Sequence, residues 1–126
     1  MSILVVDDEA PVRALVMALL EDTHYDVIGV ANGRDAVACL CQNPSRFQLI
    51  LLDLMKPYMS GWGVLNTIQS HSTLAPIPVV IMTAGANVRQ QAIDLGAAGY
   101  LPKPLDLDQL LDIAEHYYPH ERQAGS

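Results

Sequence analysis

Apolar and polar positions follow one another along the chain in two rhythms. The short apolar run 2–6 is followed by Val12, Leu15, Val16, Leu19 and Leu20, which recur at i, i+3, i+4, i+7 and i+8 as on one face of a helix. Pro11 suits the first turn of that helix, where its missing N–H would have had no partner, so the helix is expected to begin near residue 11. The same succession then repeats. Strands are expected over 26–31, over 47–52 with Asp53 at its end, over 77–82 and over 99–101. Helices are expected over 33–41, 62–69, 88–95 and 107–117, the last opened by a variant capping box, Asp106 with Gln109, and stopped by Pro119. Strand interiors that are continuously apolar belong to parallel sheets covered on both faces. The predicted class is therefore α/β, a doubly wound five-stranded parallel sheet with five helices.

At 126 residues the chain has room for one ordinary domain, and 51% hydrophobic against 17% charged residues excludes disorder for most of it. Residues 1–119 read as that domain, with 120–126 as a tail. A formal charge of −7 repels phosphate backbones and anionic lipid, which argues against direct nucleic-acid or membrane binding. The apolar start runs at once into Asp7, Asp8 and Glu9 without a basic leader, and no apolar stretch approaches the roughly 20 residues of a membrane span, so a cytoplasmic protein is expected. Cys39 and Cys41 stand two apart in a helix and point in different directions, which favours ordinary packing over a disulfide or a metal site.

In doubly wound sheets chemistry collects at the carboxyl ends of the strands. There the chain places Asp7, Asp8 and Glu9 after strand one, Asp53 after strand three, Thr83 after strand four and Lys103, between two prolines, after strand five. Singly, each has an ordinary reading as a turn former, a cap or a solvated charge. Together they are hard to assign to turns. Carboxylates within a few ångströms repel unless a cation joins them, and Mg²⁺, which takes one or two carboxylates, waters and phosphate oxygens, fits Asp8 and Asp53 with Asp7 acting through water. A carboxylate held beside such a metal can be the nucleophile in phosphoryl transfer, leaving Lys103 and Thr83 to neutralise the phosphoryl oxygens.

The runs 5–9 (VVDDE), 51–55 (LLDLM) with Pro57, Met59 and Gly61, 82–84 (MTA) and 99–104 (GYLPKP) stand in order over nearly the whole chain. In these the sequence resembles the response-regulator receiver domain of two-component signalling. The resemblance implies a flavodoxin-like, CheY-like fold with strand order 2-1-3-4-5. It also implies phosphorylation of Asp53 by a histidine kinase or histidine phosphotransfer protein, and Mg²⁺ held by Asp7, Asp8, Asp53 and the backbone carbonyl of Met55. Thr83 is then expected to move toward the phosphoryl group while Tyr100 turns inward, changing the helix 4, strand 5 and helix 5 surface read by a downstream target or an output domain. Dimerisation through that surface, where Arg89, Asp94 and Asp108 supply a few charges, stays open. The Lys103–Pro104 bond is expected to be cis.

The chain departs from the family pattern at Lys56 and Ser60, where Met and Asp are common; Ser60 still suits a helix start and Lys56 reads as a solvated loop residue. Met55 and Gly85, two beyond Asp53 and Thr83, offer no side chain that activates water, so slow self-dephosphorylation is expected. Trp62 reads as packing, Tyr117 and Tyr118 as helix-end aromatics that suit a partner surface, and Pro119 between His116 and His120 argues against a metal site there. Three other readings are weighed. A haloacid-dehalogenase-type phosphatase carries its nucleophile after strand one in an Asp-x-Asp pattern, whereas this chain has Asp7-x-Glu9 and would leave Asp53 without work. A receiver-like module that binds without phosphorylation is opposed by the complete set Asp8, Asp53, Thr83 and Lys103. A flavin is opposed by acids where that fold needs a phosphate loop.

Overall fold

A computed structural model describes residues 2–53, 61–83, 88–94 and 96–118. Its elements are β1 (Ser2–Val6), α1 (Ala10–Asp22), β2 (Val27–Val30), α2 (Gly33–Gln42), a short 3-10 turn (Pro44–Arg46), β3 (Phe47–Asp53), α3 (Gly61–Ser70), β4 (Val79–Thr83), α4 (Val88–Asp94), β5 (Gly99–Pro102) and α5 (Leu107–Tyr117). The strands form one parallel sheet in the order β2-β1-β3-β4-β5, the doubly wound order expected.

Alternation along each strand splits the core in two. Ile3, Val5, Leu49, Leu51, Val80, Met82 and Leu101 face one way, onto Val16 and Leu20 of α1 and Leu110 and Ala114 of α5. Leu4, Val6, Ile50, Leu52, Val79 and Ile81 face the other way, onto Ala36 and Leu40 of α2, Val64, Leu65 and Ile68 of α3 and Ala92 of α4. The three inner strands β1, β3 and β4 are thus apolar on both sides because each side is covered by helix.

Local chemistry sets the ends. The Asn32 side chain accepts the Asp35 N–H at 2.8 Å and starts α2, and the Asp106 side chain accepts N–H groups from Asp108 and Gln109, as its capping pattern predicts. β4 begins at Val79, not at residue 77, because Ile77 donates its N–H to Leu74 in a turn at 2.9 Å and Pro78 has none to give. The α1 stripe is wider than its contact: Val16 and Leu20 are buried, while Leu15 is 56% exposed at the outer edge. Cys39 is half-buried against the core and Cys41 is exposed, both as free thiols, so only the former packs. No described helix is long and apolar enough to cross a membrane.

Candidate active site at the carboxyl rim

The register explains which side chains meet. Val6 pairs with Leu52, Asp53 with Met82, and Met82 with Leu101. Counting on by alternation, Asp7, Asp53 and Lys103 share the α1/α5 side of the sheet, whereas Thr83 and Tyr100 lie on the other side with Ile81. One rim therefore carries two groups, which the strand-end list in the sequence leaves undivided.

The first group is tightly assembled. Asp7, Asp8 and Asp53 each offer a carboxylate oxygen, all within 4.8 Å of one another; Asp7 and Asp53 are fully buried and Asp8 is exposed. Lys103 Nζ lies 3.2 Å from Asp7 Oδ2, 3.3 Å from Asp53 Oδ2 and 3.7 Å from Glu9 Oε1. Burial works against the Lys103 charge, but the Asp53 and Asp7 carboxylates outweigh it, so its pKa is raised above the ordinary 10.5 and the ammonium stays protonated. The Lys103–Pro104 peptide is cis, as the resemblance implied.

The second group sits beside a groove. Thr83 is fully buried at the end of β4, and its carbonyl accepts the Lys103 N–H at 2.8 Å, tying the strand-four and strand-five ends together. Tyr100 is half-buried in β5 and lines a cavity of about 640 Å³ between α4, β5 and α5, together with Ile93, Leu101, Asp112 and Ile113. Met55, Lys56, Pro57, Met59, Ser60, Ala84, Gly85, Pro119, His120 and the tail lie outside the described residues, as do the side chains of Trp62 and Arg89.

Residues 3–115 match the response regulator receiver domain family. The chain belongs to that family. It is 36% identical to the transcriptional regulatory protein ZraR of Salmonella typhimurium over 98% of its own length but only 28% of that protein, and 35% identical to the transcriptional regulatory protein GltR of Pseudomonas aeruginosa over 87% of its length and 46% of that protein. It thus spans less than half the length of these curated relatives. Among solved structures it resembles the Vibrio cholerae chemotaxis protein CheY4 with a TM-score of 0.84 and 29% identity, covering 92% of this chain and 97% of that one. The receiver domain of the sensor histidine kinase PA1611 from Pseudomonas aeruginosa, solved with a magnesium ion coordinated in its active site cleft, matches with a TM-score of 0.83 and 27% identity over 92% of this chain and 95% of that one. The chain is a CheY-like receiver domain, a signalling module of two-component systems, and a phosphoacceptor role fits it.

The acidic rim fits a hard divalent cation on its own chemistry. Four carboxylates, those of Asp7, Asp8, Glu9 and Asp53, gather at the rim with two cations, the Lys103 ammonium and an Arg13 guanidinium bound to the Asp7 carbonyl, a formal excess of two negative charges among the described residues. Every candidate donor is an oxygen, the ligand type Mg²⁺ selects. Sequence reasoning missed Arg13, whose place one turn into α1 gives no signal by itself.

Proposed function

We propose that this receiver takes a phosphoryl group on Asp53 from a phosphohistidine of a histidine kinase or phosphotransfer protein, with Mg²⁺ as cofactor. The observation that carries the reading is the Lys103 ammonium 3.3 Å from a fully buried Asp53 whose carboxylate lies within 4.8 Å of two others. An Asp53 oxygen attacks phosphorus as the P–N bond breaks, and the imidazole leaves with that electron pair. Lys103, positively charged and mostly buried, turns its N–H donors from Asp53 to the new phosphoryl oxygens, and Thr83 supplies a hydroxyl from the neighbouring strand. Asp7, Asp8, Asp53 and the Met55 carbonyl would hold the metal, which when bound supplies positive charge against the phosphoryl oxygens.

Thr83 moving toward that group opens room on its own side of the sheet, and Tyr100, two residues along on the adjacent strand and on the same side, turns in to fill it. The groove between α4, β5 and α5 changes shape with it, and a downstream protein or an output domain reads the change. In this reading residues 1–119 form the receiver and 120–126 a tail, the chain acts on no external substrate, and it works in the cytoplasm.

The test is intact mass after incubation with acetyl phosphate, with and without Mg²⁺, on the wild type and Asp53→Asn. A metal-dependent phosphoryl adduct that the variant lacks is the expected result. No adduct on a folded wild type that binds Mg²⁺ would favour a module that works through protein contacts alone.

A further inference from the structure

Arg13 stands one turn into α1, and its guanidinium Nη1 donates to the main-chain carbonyl of Asp7 at 2.7 Å. Its stem crosses β2 at Gly29, where a Cβ would collide with Met17 Sδ and lie 3.3 Å from Arg13 Cδ. Glycine at this position leaves room for Met17 and, less tightly, for the Arg13 stem beside it.

With that bond, every polar atom of Asp7 has a partner, two of them local, Glu9 and Arg13, and two from distant strand ends, Val30 and Lys103. Its N–H donates to the Val30 carbonyl at 3.2 Å, Oδ1 accepts the Glu9 N–H at 2.9 Å, and Oδ2 accepts Lys103 Nζ at 3.2 Å. Asp8 is different, being exposed. Its N and Cα lie in the plane of the Asp7–Asp8 peptide, the unit whose carbonyl Arg13 holds, so that bond fixes the point from which the Asp8 side chain starts.

We propose that Arg13 is a positioning residue of the metal site: it fixes the Asp7–Asp8 peptide so that the Asp8 carboxylate stays beside Asp53, a role that rests on the reading of these carboxylates as a Mg²⁺ site. Charge alone requires the opposite outcome. Arg13 is a cation beside an acidic cluster, so removing it lessens repulsion toward an incoming cation and tightens binding. Positioning requires that removing it weakens binding, and hydrogen bonds one step behind metal ligands are typically worth about 10–100-fold in affinity.

Calorimetric titration of the full chain with Mg²⁺ separates the two by sign, run beside thermal unfolding in EDTA. Arg13→Met keeps the stem over Gly29 and removes the donors; its Mg²⁺ Kd is expected to rise about tenfold or more, with the metal-free Tm changing by only a few degrees. A Kd that is unchanged or lower overturns the proposal, and a fall in Tm with Kd unchanged makes Arg13 a structural contact only. Should Arg13→Met not fold, Arg13→Gln, too short to reach the carbonyl, is expected to show the same weakening, and a Kd within about twofold of wild type overturns the role. If the wild type shows no saturable binding that Asp8→Asn abolishes, the metal site itself fails and the role falls with it, an outcome distinct from a wild type and variant that bind alike.

Discussion

At each end of the sheet a cation from a later segment meets acidic side chains at the strand ends, and the two ends handle the charge differently. At the amino rim Arg46 Nη2 lies 3.6 Å from Asp26 Oδ2 and Arg46 Nε donates to Ser2 Oγ at 3.0 Å, while Ser2 in turn donates to Asp26. One cation faces one anion there, with side chains 47% and 60% exposed. At the carboxyl rim Lys103, 15% exposed, faces two carboxylates with no exposure and a third at the edge. Balanced and wet, the first arrangement clasps the starts of β1, β2 and β3. Buried and, among the described residues, short of positive charge, the second stores an electrostatic demand that a metal cation can answer.

The contrast breaks most visibly at its cations. Lys103→Met is expected to slow phosphorylation by acetyl phosphate about 10²–10³-fold, the usual effect of losing one preorganised donor to a developing oxyanion, and to cost the metal-free fold about 3 kcal/mol by removing the ammonium that lies beside two buried carboxylates. Mass spectrometry over time and urea unfolding in EDTA measure the two. Arg46→Ala should leave the phosphorylation rate unchanged; a rate that fell as far as in Lys103→Met would remove the distinction between the rims.

Neutralising an anion should act with opposite signs at the two ends. Asp53→Asn relieves repulsion from Asp7 and Asp8 and is expected to stabilise the metal-free protein by about 1 kcal/mol, while abolishing most of the stabilisation that Mg²⁺ gives the wild type. Asp26→Asn removes an exposed, balanced partner and is expected to destabilise by no more than about 1 kcal/mol. Paired urea titrations with Mg²⁺ or EDTA read this directly, and the same sign at both rims would contradict the charge accounting above.

The smallest expected effect is at high pH. The folded-state pKa of Lys103 lies above its unfolded value near 10.5, so the stability its ammonium contributes is fully present below that pH and is lost as pH rises through the folded value. Metal-free stability should therefore fall more steeply above pH 10.5 in the wild type than in Lys103→Met. Equal slopes would mean that Lys103 does not feel Asp53 and Asp7 as the geometry implies.

The sequence by itself determined the order of elements, because period 3.6 and continuous apolar runs survive in one dimension, and it brought Asp7, Asp8, Asp53, Thr83 and Lys103 to strand ends, because each follows directly on such a run. The helix cap at Asp106 acts within a few residues, so it is local and readable as well. Only the tertiary structure decided the rest. Which strands are neighbours sets a register that puts Asp7, Asp53 and Lys103 on one side of the sheet and Thr83 with Tyr100 on the other, and a one-residue shift would exchange them. Leu15, apolar and in phase with the α1 stripe, is exposed because the breadth of a helix contact depends on what it packs against. Arg13 reaches the rim across a glycine on a strand sixteen residues further on, a relation created by folding β2 against β1, and spacing along the chain carries no trace of it.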